Sequence, residues 1–275
     1  MIETIAVGGN IVDGVADGSL ILSANELSLP LEPYTSVILA NGKQSILTTI
    51  TPDLTLRKIS SRKILGVKPR SAEQVFYMHY LIDNNIDMVV ATGRCGTGKS
   101  ILALVAAINA VIEGAGTQDT IIMAKCLSEV GKYRLGTVPG NLREKMDPYV
   151  GSYKAGLHKI LGKDFDIELY EMKGILQFVP INVLRGWSIE NSIVIIDEAQ
   201  NLSKMELRTL CTRIGENSRL FMLGDVTQSD ESDGGYALRT VAQHEAILQS
   251  SFCATVELIK NERSKLSLLL DNVLS

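Results

Sequence analysis

The sequence has few of the residues that build metal centres or disulfide frameworks. Its 275 residues include only four cysteines and three histidines. The cysteines are scattered, without a Cys-x-x-Cys spacing, at Cys95, Cys126, Cys211 and Cys253. A zinc site is therefore not expected, and the isolated thiols are typical of reduced cysteines in a cytoplasmic protein.

Long apolar runs and an excess of basic charge are also missing. The longest apolar stretch, residues 101–112, is too short to span a bilayer and contains Asn109. The first residues, MIETIAVGG, lack the basic and apolar regions of a signal peptide. We therefore expect no membrane partner. Because the net charge is −4, any contact with nucleic acid must come from a local basic patch.

The first 56 residues carry short β-branched runs, which predict a small β-rich domain over residues 1–56. The runs are SLILSA, TSVILA and QSILTTI, and turn-forming residues such as NGK separate them. This pattern is typical of a small open sheet or barrel. No combination of residues in it indicates a chemical function.

The next stretch, RKISSRKILGVKPR, has six basic residues and no acid. They are Arg57, Lys58, Arg62, Lys63, Lys68 and Arg70. A solvated linker and a track for a nucleic-acid backbone both fit this composition.

From Ser71 onward helical and strand patterns alternate, which predicts one α/β domain over residues 57–275. Ser71 is a plausible cap for a helix, with Gln74 three residues later. The apolar runs DMVVATG, DTIIMAK, NSIVIID and RLFMLGD predict buried strands, and SILALVAAINAVIEG predicts a helix between the first two. Continuous apolar strands between helices indicate a parallel sheet with helices on both faces.

Residues 91–100 read ATGRCGTGKS and fit the pattern G-x-x-x-x-G-K-[ST] between a predicted strand and a predicted helix. Glycines let the backbone turn sharply and direct N–H groups at phosphate oxygens, and the following helix presents its positive end to the same anion. We expect Lys99 to reach the β- and γ-phosphates and the Ser100 hydroxyl to bind Mg²⁺. The predicted nucleotide loop comprises Gly93, Arg94, Cys95, Gly96, Thr97, Gly98, Lys99 and Ser100.

Acidic residues follow two of the later predicted strands. Asp197 ends the run IVIID, where we expect it to hold Mg²⁺, and the neighbouring Glu198 is the candidate general base for water. Asp225 and Gln228 follow the strand RLFMLG, and we expect both beside the γ-phosphate. Gln228 is of the type that orients an attacking water.

Together these blocks resemble the PhoH family of ATPases, which are related to superfamily 1 helicases. The resemblance runs from about Gly66 to the C-terminus and rests on GVKPRSAEQ, GRCGTGKS, YRLGTVPGNLREKMDPYV, IVIIDEAQN, TRIG, GDVTQ and NERS. The NERS block and the β-rich start look most like the longer members, which carry a PIN-type nuclease ahead of the ATPase part. Because 56 residues are too few for a PIN nuclease, RNA cleavage is not implied.

The resemblance implies a RecA-like P-loop fold, ATP and Mg²⁺ as ligands, a hexameric ring and activity on RNA. Gln74 resembles the helicase glutamine that reads adenine. Arg263 in NERS resembles the arginine that contacts the γ-phosphate, and Arg213 in TRIG is a second candidate. The family usually shows alanine at the position of Cys95 and threonine at that of Ser100, and serine keeps the hydroxyl that Mg²⁺ needs.

Three functions remain open at this point. An ATPase coupled to binding, unwinding or remodelling RNA or single-stranded DNA is favoured, with an ATP-dependent switch or assembly platform as the alternative. A P-loop kinase is disfavoured because Glu198 beside Asp197 suits the activation of water. One RecA-like lobe leaves the nucleotide open on one side, so we expect a neighbouring subunit in a ring to supply an arginine.

Overall fold

The computed structural model describes residues 2–125, 142–227 and 235–262. The strands are β1 (Ile2–Ala6), β2 (Ser36–Ala40), β3 (Ser45–Ile50), β4 (Leu56–Ile59), β5 (Met88–Thr92), β6 (Thr120–Lys125), β7 (Leu176–Pro180), β8 (Ser192–Asp197), β9 (Arg219–Gly224) and β10 (Cys253–Glu257). The helices are α1 (Gly9–Asp17), α2 (Ala72–Ile82), α3 (Lys99–Val111), α4 (Leu142–Leu161), α5 (Ile167–Met172), α6 (Ile181–Leu184), α7 (Lys204–Cys211), α8 (Tyr236–Gln243) and α9 (Glu245–Leu248).

The small amino-terminal sheet has the order β1-β2-β3-β4. β1 is parallel to β2, whereas the other neighbours are antiparallel. The runs TSVILA and QSILTTI form β2 and β3, and the β-rich start is confirmed. The run SLILSA is not a strand, because its residues make only an isolated bridge from Ser23 to Thr55 before a short 3₁₀ turn at Ala24–Leu27.

Helix α1 was not predicted, because its sequence GNIVDGVAD contains two glycines, Gly9 and Gly14, and glycine disfavours helix formation. Tertiary packing outweighs this weak propensity, since Val12 and Val15 are buried on the helix face that covers the small sheet. Strand β4 completes the same sheet and continues to Ile59. The small sheet therefore ends three residues beyond the expected boundary at residue 56, and the division into two domains stays a prediction.

The large sheet has the order β10-β5-β9-β8-β6-β7, and every neighbouring pair is parallel. The four predicted strands are β5, β6, β8 and β9. Strands β7 (LQFVP) and β10 (CATVE) were missed because polar residues interrupt their apolar residues, so neither forms a continuous apolar run. Alternate residues face opposite sides: Ile193 and Ile195 pack with α2 and α3, and Val194 and Ile196 pack with α7 and α8. The predicted α/β architecture, a parallel sheet with helices on both faces, is confirmed. Across the described residues, no helix is both long and apolar enough to cross a membrane.

Helix α2 joins the small sheet to the large one through the fully buried Tyr80. The Tyr80 hydroxyl donates to the carbonyl oxygen of Tyr34 (2.7 Å) and lies 2.8 Å from Ser36 Oγ and 3.1 Å from Thr49 Oγ1. Burial raises the pKa of Tyr80 to about 12, so the phenol is a neutral donor at physiological pH. The small sheet is thereby held on α2, the helix that carries Gln74 in its first turn.

Removing this hydroxyl should destabilise the protein. Tyr80→Phe leaves the buried Tyr34 carbonyl and two hydroxyls short of a partner, so we expect the free energy of unfolding to fall by about 1–3 kcal/mol. Urea denaturation monitored by circular dichroism measures this change. The matched control is Tyr236→Phe, at a residue that is 57% exposed. Equal unfolding free energies for both variants and the wild type would show that the Tyr80 cluster contributes nothing.

Candidate active site

Three loops start at one level on the carboxyl edge of the large sheet. In the parallel register, Thr92 lies opposite Gly224 and Ile196 opposite Met222. Gly93 N donates to the carbonyl oxygen of Gly224 (3.1 Å), which joins the phosphate loop after β5 to the acidic loop after β9. On the other side of β5, a Cβ on Gly93 would collide with the carbonyl oxygen of Leu258, which follows β10, so only glycine allows Leu258 to approach this closely. The sheet thus brings the predicted phosphate loop and both acidic loops together.

The phosphate loop wraps around the ammonium group of Lys99. Gly96 and Gly98 have positive φ angles of 88° and 94°, and α3 begins directly afterwards. Lys99 is buried, and its Nζ donates to the carbonyl oxygens of Gly93 and Arg94. Burial lowers the pKa of Lys99, and the carboxylates of Asp225 and Asp197 oppose that shift. The loop therefore presents a buried cation to the cavity beside it.

Asp197 is held by donors from three elements. Ser100 Oγ donates to Asp197 Oδ2 (3.0 Å), and the Tyr153 hydroxyl donates to the same oxygen (2.9 Å). The backbone N–H of Glu198 donates to Oδ1 (3.1 Å). Tyr153 was not predicted. Its spacing from the buried Val150 and Leu157 indicates a core-facing helix, but not which group the hydroxyl meets.

Glu198 and Asp225 are joined by Gln200, which was also not predicted. Gln200 Nε2 donates to Glu198 Oε2 (2.7 Å), and Gln200 Oε1 accepts from the backbone N–H of Asp225 (3.0 Å). A Cβ on Gly224 would lie 2.5 Å from Gln200 Oε1, so the glycine makes room for the amide. Glu198 itself has a φ of 56°, a conformation that is uncommon outside glycine and is frequent at functional sites.

Gln74 connects the phosphate loop to the segment before α2, and Ser71 Oγ accepts from its N–H as predicted. Its Oε1 accepts from Arg70 N (2.8 Å), and its Nε2 donates to the carbonyl oxygen of Thr97 (2.8 Å). An amide N–H can only donate and a carbonyl can only accept, so the Gln74 amide has one orientation. Among the described residues the amide has no other partner, so one lone pair and one N–H remain for a ligand.

Residues described above line a cavity of about 980 Å³, and they include Gln74, Lys99, Ser100, Asp197, Glu198 and Asp225. Its wall contains phosphate-loop residues with Asp197, Glu198 and Asp225, and the 65–70 segment with Gln74 closes one side. Lys159 and Ile160 of α4 and Glu262 complete the lining. The volume suits a ligand of the size of a nucleoside triphosphate.

The residues at the metal position fit Mg²⁺. Ser100 and Asp197 offer oxygen ligands, and Asp225 Oδ2 is buried without a hydrogen-bond partner among the described residues, while Oδ1 accepts twice from Thr227. The described ranges contain no group of three His, Cys, Asp or Glu side chains that could hold a metal alone. Mg²⁺ needs no such group, because it takes one or two carboxylates together with phosphate oxygens and water.

Within the described part of the chain, four predicted site residues are not among those that line the cavity: Gly93, Arg94, Thr97 and Arg213. Arg94 is exposed and does not line the cavity. Arg213 is also exposed, and its carbonyl oxygen accepts from Ile189 N before the amino end of β8, at the edge of the sheet opposite the phosphate loop. Gln228 and Arg263 lie outside the described residues. Their roles, a role for Arg213 in a neighbouring subunit and the hexameric ring stay predictions.

The basic stretch of residues 57–70 is not a single linker. Arg57 and Lys58 belong to β4, and Lys58 Nζ donates to the carbonyl oxygen of Ala16 (2.7 Å). Lys68 and Arg70 line the cavity. Two of the six cations therefore lie at the candidate nucleotide site.

Two PhoH2 proteins are similar to this chain over most or all of its length. Protein PhoH2 of Thermobispora bispora is 34% identical over 242 residues, which are 88% of this chain and 55% of that protein. Protein PhoH2 of Mycolicibacterium smegmatis is 32% identical over 275 residues, which are 100% of this chain and 62% of that protein. The chain thus spans less than two thirds of the length of these relatives.

Among solved structures, the Sulfolobus solfataricus SWI2/SNF2 ATPase core in complex with dsDNA aligns with a TM-score of 0.42 and 13% identity, over 70% of this chain and 40% of that one. This likeness is too low to inform on function. The family model described as PhoH-like protein matches residues 66–267, which include the phosphate loop and both acidic loops. The chain therefore belongs to the PhoH family.

Proposed function

We propose that this chain hydrolyses ATP with Mg²⁺ and couples hydrolysis to binding, unwinding or remodelling RNA or single-stranded DNA. The observation that supports hydrolysis most directly is the convergence of Lys99, the Ser100–Asp197 pair, Glu198 and Asp225 on one cavity. A buried cation, an oxygen-rich metal position and a carboxylate base are the parts that phosphoryl transfer to water needs. A cytoplasmic location is part of this proposal, and the scattered cysteines without a Cys-x-x-Cys spacing support it.

Each side chain has a role that its contacts support. Lys99 already donates to loop carbonyls, so phosphate oxygens can replace those acceptors and pair with its charge. Ser100 and Asp197 hold Mg²⁺, which neutralises charge on the phosphates when bound. Glu198 receives the Gln200 amide on Oε2, and we assign Oε1 to accept the proton of the attacking water.

Two substitutions separate binding from hydrolysis. Lys99→Ala should abolish tight nucleotide binding, because the β- and γ-phosphates lose their cation. Glu198→Gln should bind ATP with unchanged affinity but lower kcat by roughly 10²–10⁴-fold, since only the base is removed. Phosphate release and titration with a fluorescent ATP analogue measure the two effects. The control is Glu216→Gln at an exposed glutamate. Wild-type turnover in Glu198→Gln would exclude Glu198 as the base.

The fixed amide of Gln74 supports ATP as the substrate. Adenine presents an N6–H donor beside the N7 acceptor, whereas guanine presents two acceptors, O6 and N7. The remaining lone pair on Gln74 Oε1 and the remaining N–H on Nε2 match adenine. Guanine would place O6 against Oε1, and the amide cannot turn over because Arg70 N and Thr97 O hold it.

This arrangement predicts that the wild type prefers ATP over GTP in kcat/KM by roughly 5- to 150-fold. Gln74→Ala should bring the ratio close to one. The substitution also removes the contacts with Arg70 and Thr97, which weakens the binding of both nucleotides alike. The ratio of kcat/KM for ATP and GTP therefore reports recognition of the base alone. Gln249→Ala, at an exposed glutamine, is the control. Equal use of ATP and GTP by the wild type would contradict the assignment.

The contact with nucleic acid is assigned to part of the basic stretch. Lys58 donates to Ala16, and Lys68 and Arg70 face the cavity. Arg57, Arg62 and Lys63 are exposed and lie outside the cavity wall. We therefore place the phosphate contacts of a single strand on these three residues.

Salt dependence tests this contact. Each phosphate contact to a single strand adds about 0.7 to the slope of log K against log salt, so Arg62→Ala with Lys63→Ala should reduce that slope by roughly 1.4. Fluorescence anisotropy with single-stranded RNA and DNA measures it. The control pair is Lys204→Ala with Arg208→Ala, at exposed positions on α7. An unchanged slope would leave residues 57–70 without a nucleic-acid role.

The alternative function is an ATP-dependent switch or assembly platform. This alternative uses the same nucleotide site. It differs from the favoured function because nucleic acid does not raise the ATPase rate. If neither single-stranded RNA nor DNA raises the ATPase rate, the switch is the function that remains.

A further inference from the structure

Tyr153 connects helix α4 to the carboxylate at the metal position. Its side chain is 6% exposed, and its hydroxyl donates to Asp197 Oδ2 at 2.9 Å. The same oxygen accepts from Ser100 Oγ at 3.0 Å. The sequence motifs of the site, which comprise the phosphate loop and the acids after β8 and β9, do not include this residue.

The packing of α4 determines where the Tyr153 hydroxyl lies. A Cβ on Gly156 would lie 3.2 Å from Leu104 Cδ2, so this glycine lets α4 approach α3 closely. On the other side, the Tyr153 and Phe178 rings are 6.4 Å apart with an interplanar angle of 36°. With α4 close to α3, the Tyr153 ring lies beside Phe178 of β7, and its hydroxyl reaches Asp197 at the carboxyl end of β8.

The donors on Asp197 restrict how its carboxylate can turn. Glu198 N holds Oδ1, and Ser100 and Tyr153 together hold Oδ2. Without Tyr153, Oδ2 would keep one donor among the described residues, and that donor, Ser100, is itself a proposed metal ligand.

We propose that Tyr153 is a positioning residue that orients Asp197 toward Mg²⁺ and thereby makes helix α4 part of the metal–nucleotide site. The inference rests on the proposed function, because it assumes that Ser100 and Asp197 hold the metal. Hydrogen-bond partners of metal ligands usually change metal affinity by 10–100-fold when they are removed. A tyrosine that only fills space would not affect the metal dependence of binding.

The test is Tyr153→Phe, which keeps the ring and removes the donor. Affinity for a fluorescent ATP analogue is measured in excess Mg²⁺ and in EDTA, and Mg²⁺ is titrated at a fixed analogue concentration. We expect the half-saturating Mg²⁺ concentration to rise about tenfold, with the affinity in EDTA unchanged. The control is Tyr170→Phe, whose ring packs on Phe165. It should match the wild type in both conditions.

A double-mutant cycle separates positioning from packing. If Tyr153 acts through Asp197, Tyr153→Phe should have no further effect on the Mg²⁺ titration of Asp197→Asn. Melting temperatures of the nucleotide-free variants, by circular dichroism, show whether each one folds. An unchanged Mg²⁺ dependence overturns the proposal, as does an equal loss of affinity with and without Mg²⁺. A wild-type protein that binds no nucleotide would overturn the proposed function itself, and the role of Tyr153 with it.

Discussion

The parallel register of β5, β9 and β8 is the constraint on which the candidate site depends. It places Thr92 beside Gly224 and Ile196 beside Met222, so the three following loops begin at one level. The loops touch because Gly93 N donates to Gly224 O, and because Gly224 has no side chain where Gln200 approaches. A shift of one residue in either pairing would separate the phosphate loop from the acids.

Two neutral amides then hold these loops in place. Gln74 joins Arg70 to Thr97, and Gln200 joins Glu198 to Asp225. Each amide satisfies one donor and one acceptor in a buried setting without adding a charge that would have to be desolvated. The acids and the lysine thus keep their charges for a ligand, while uncharged groups set the geometry around them.

Local patterns in the sequence determined the phosphate loop, the Ser71 cap and the parallel sheet. The phosphate loop has the spacing that binds one phosphate group, with Gly93, Gly98, Lys99 and Ser100 at the pattern positions. Asp197 ends a buried strand. Such signals are readable because the residues that cooperate are neighbours in the chain. Where the local signal was weak, prediction failed. The glycine-containing α1 was missed, as were β7 and β10, in which polar residues interrupt the apolar ones, and SLILSA was taken for a strand.

Tertiary structure alone decided which distant side chains meet. Tyr153 and Asp197 are 44 residues apart, and only the packing of α4 on α3 and β7 brings the hydroxyl to the carboxylate. Contacts with Arg70 and Thr97 set the orientation of Gln74. The basic stretch of residues 57–70 contributes its first two cations to β4 and its last two to the wall of the cavity. The sequence by itself determined which chemical groups are present and which local elements carry them. Their pairing depends on how helices and strands pack, because a hydrogen bond requires a separation that no spacing along the chain specifies.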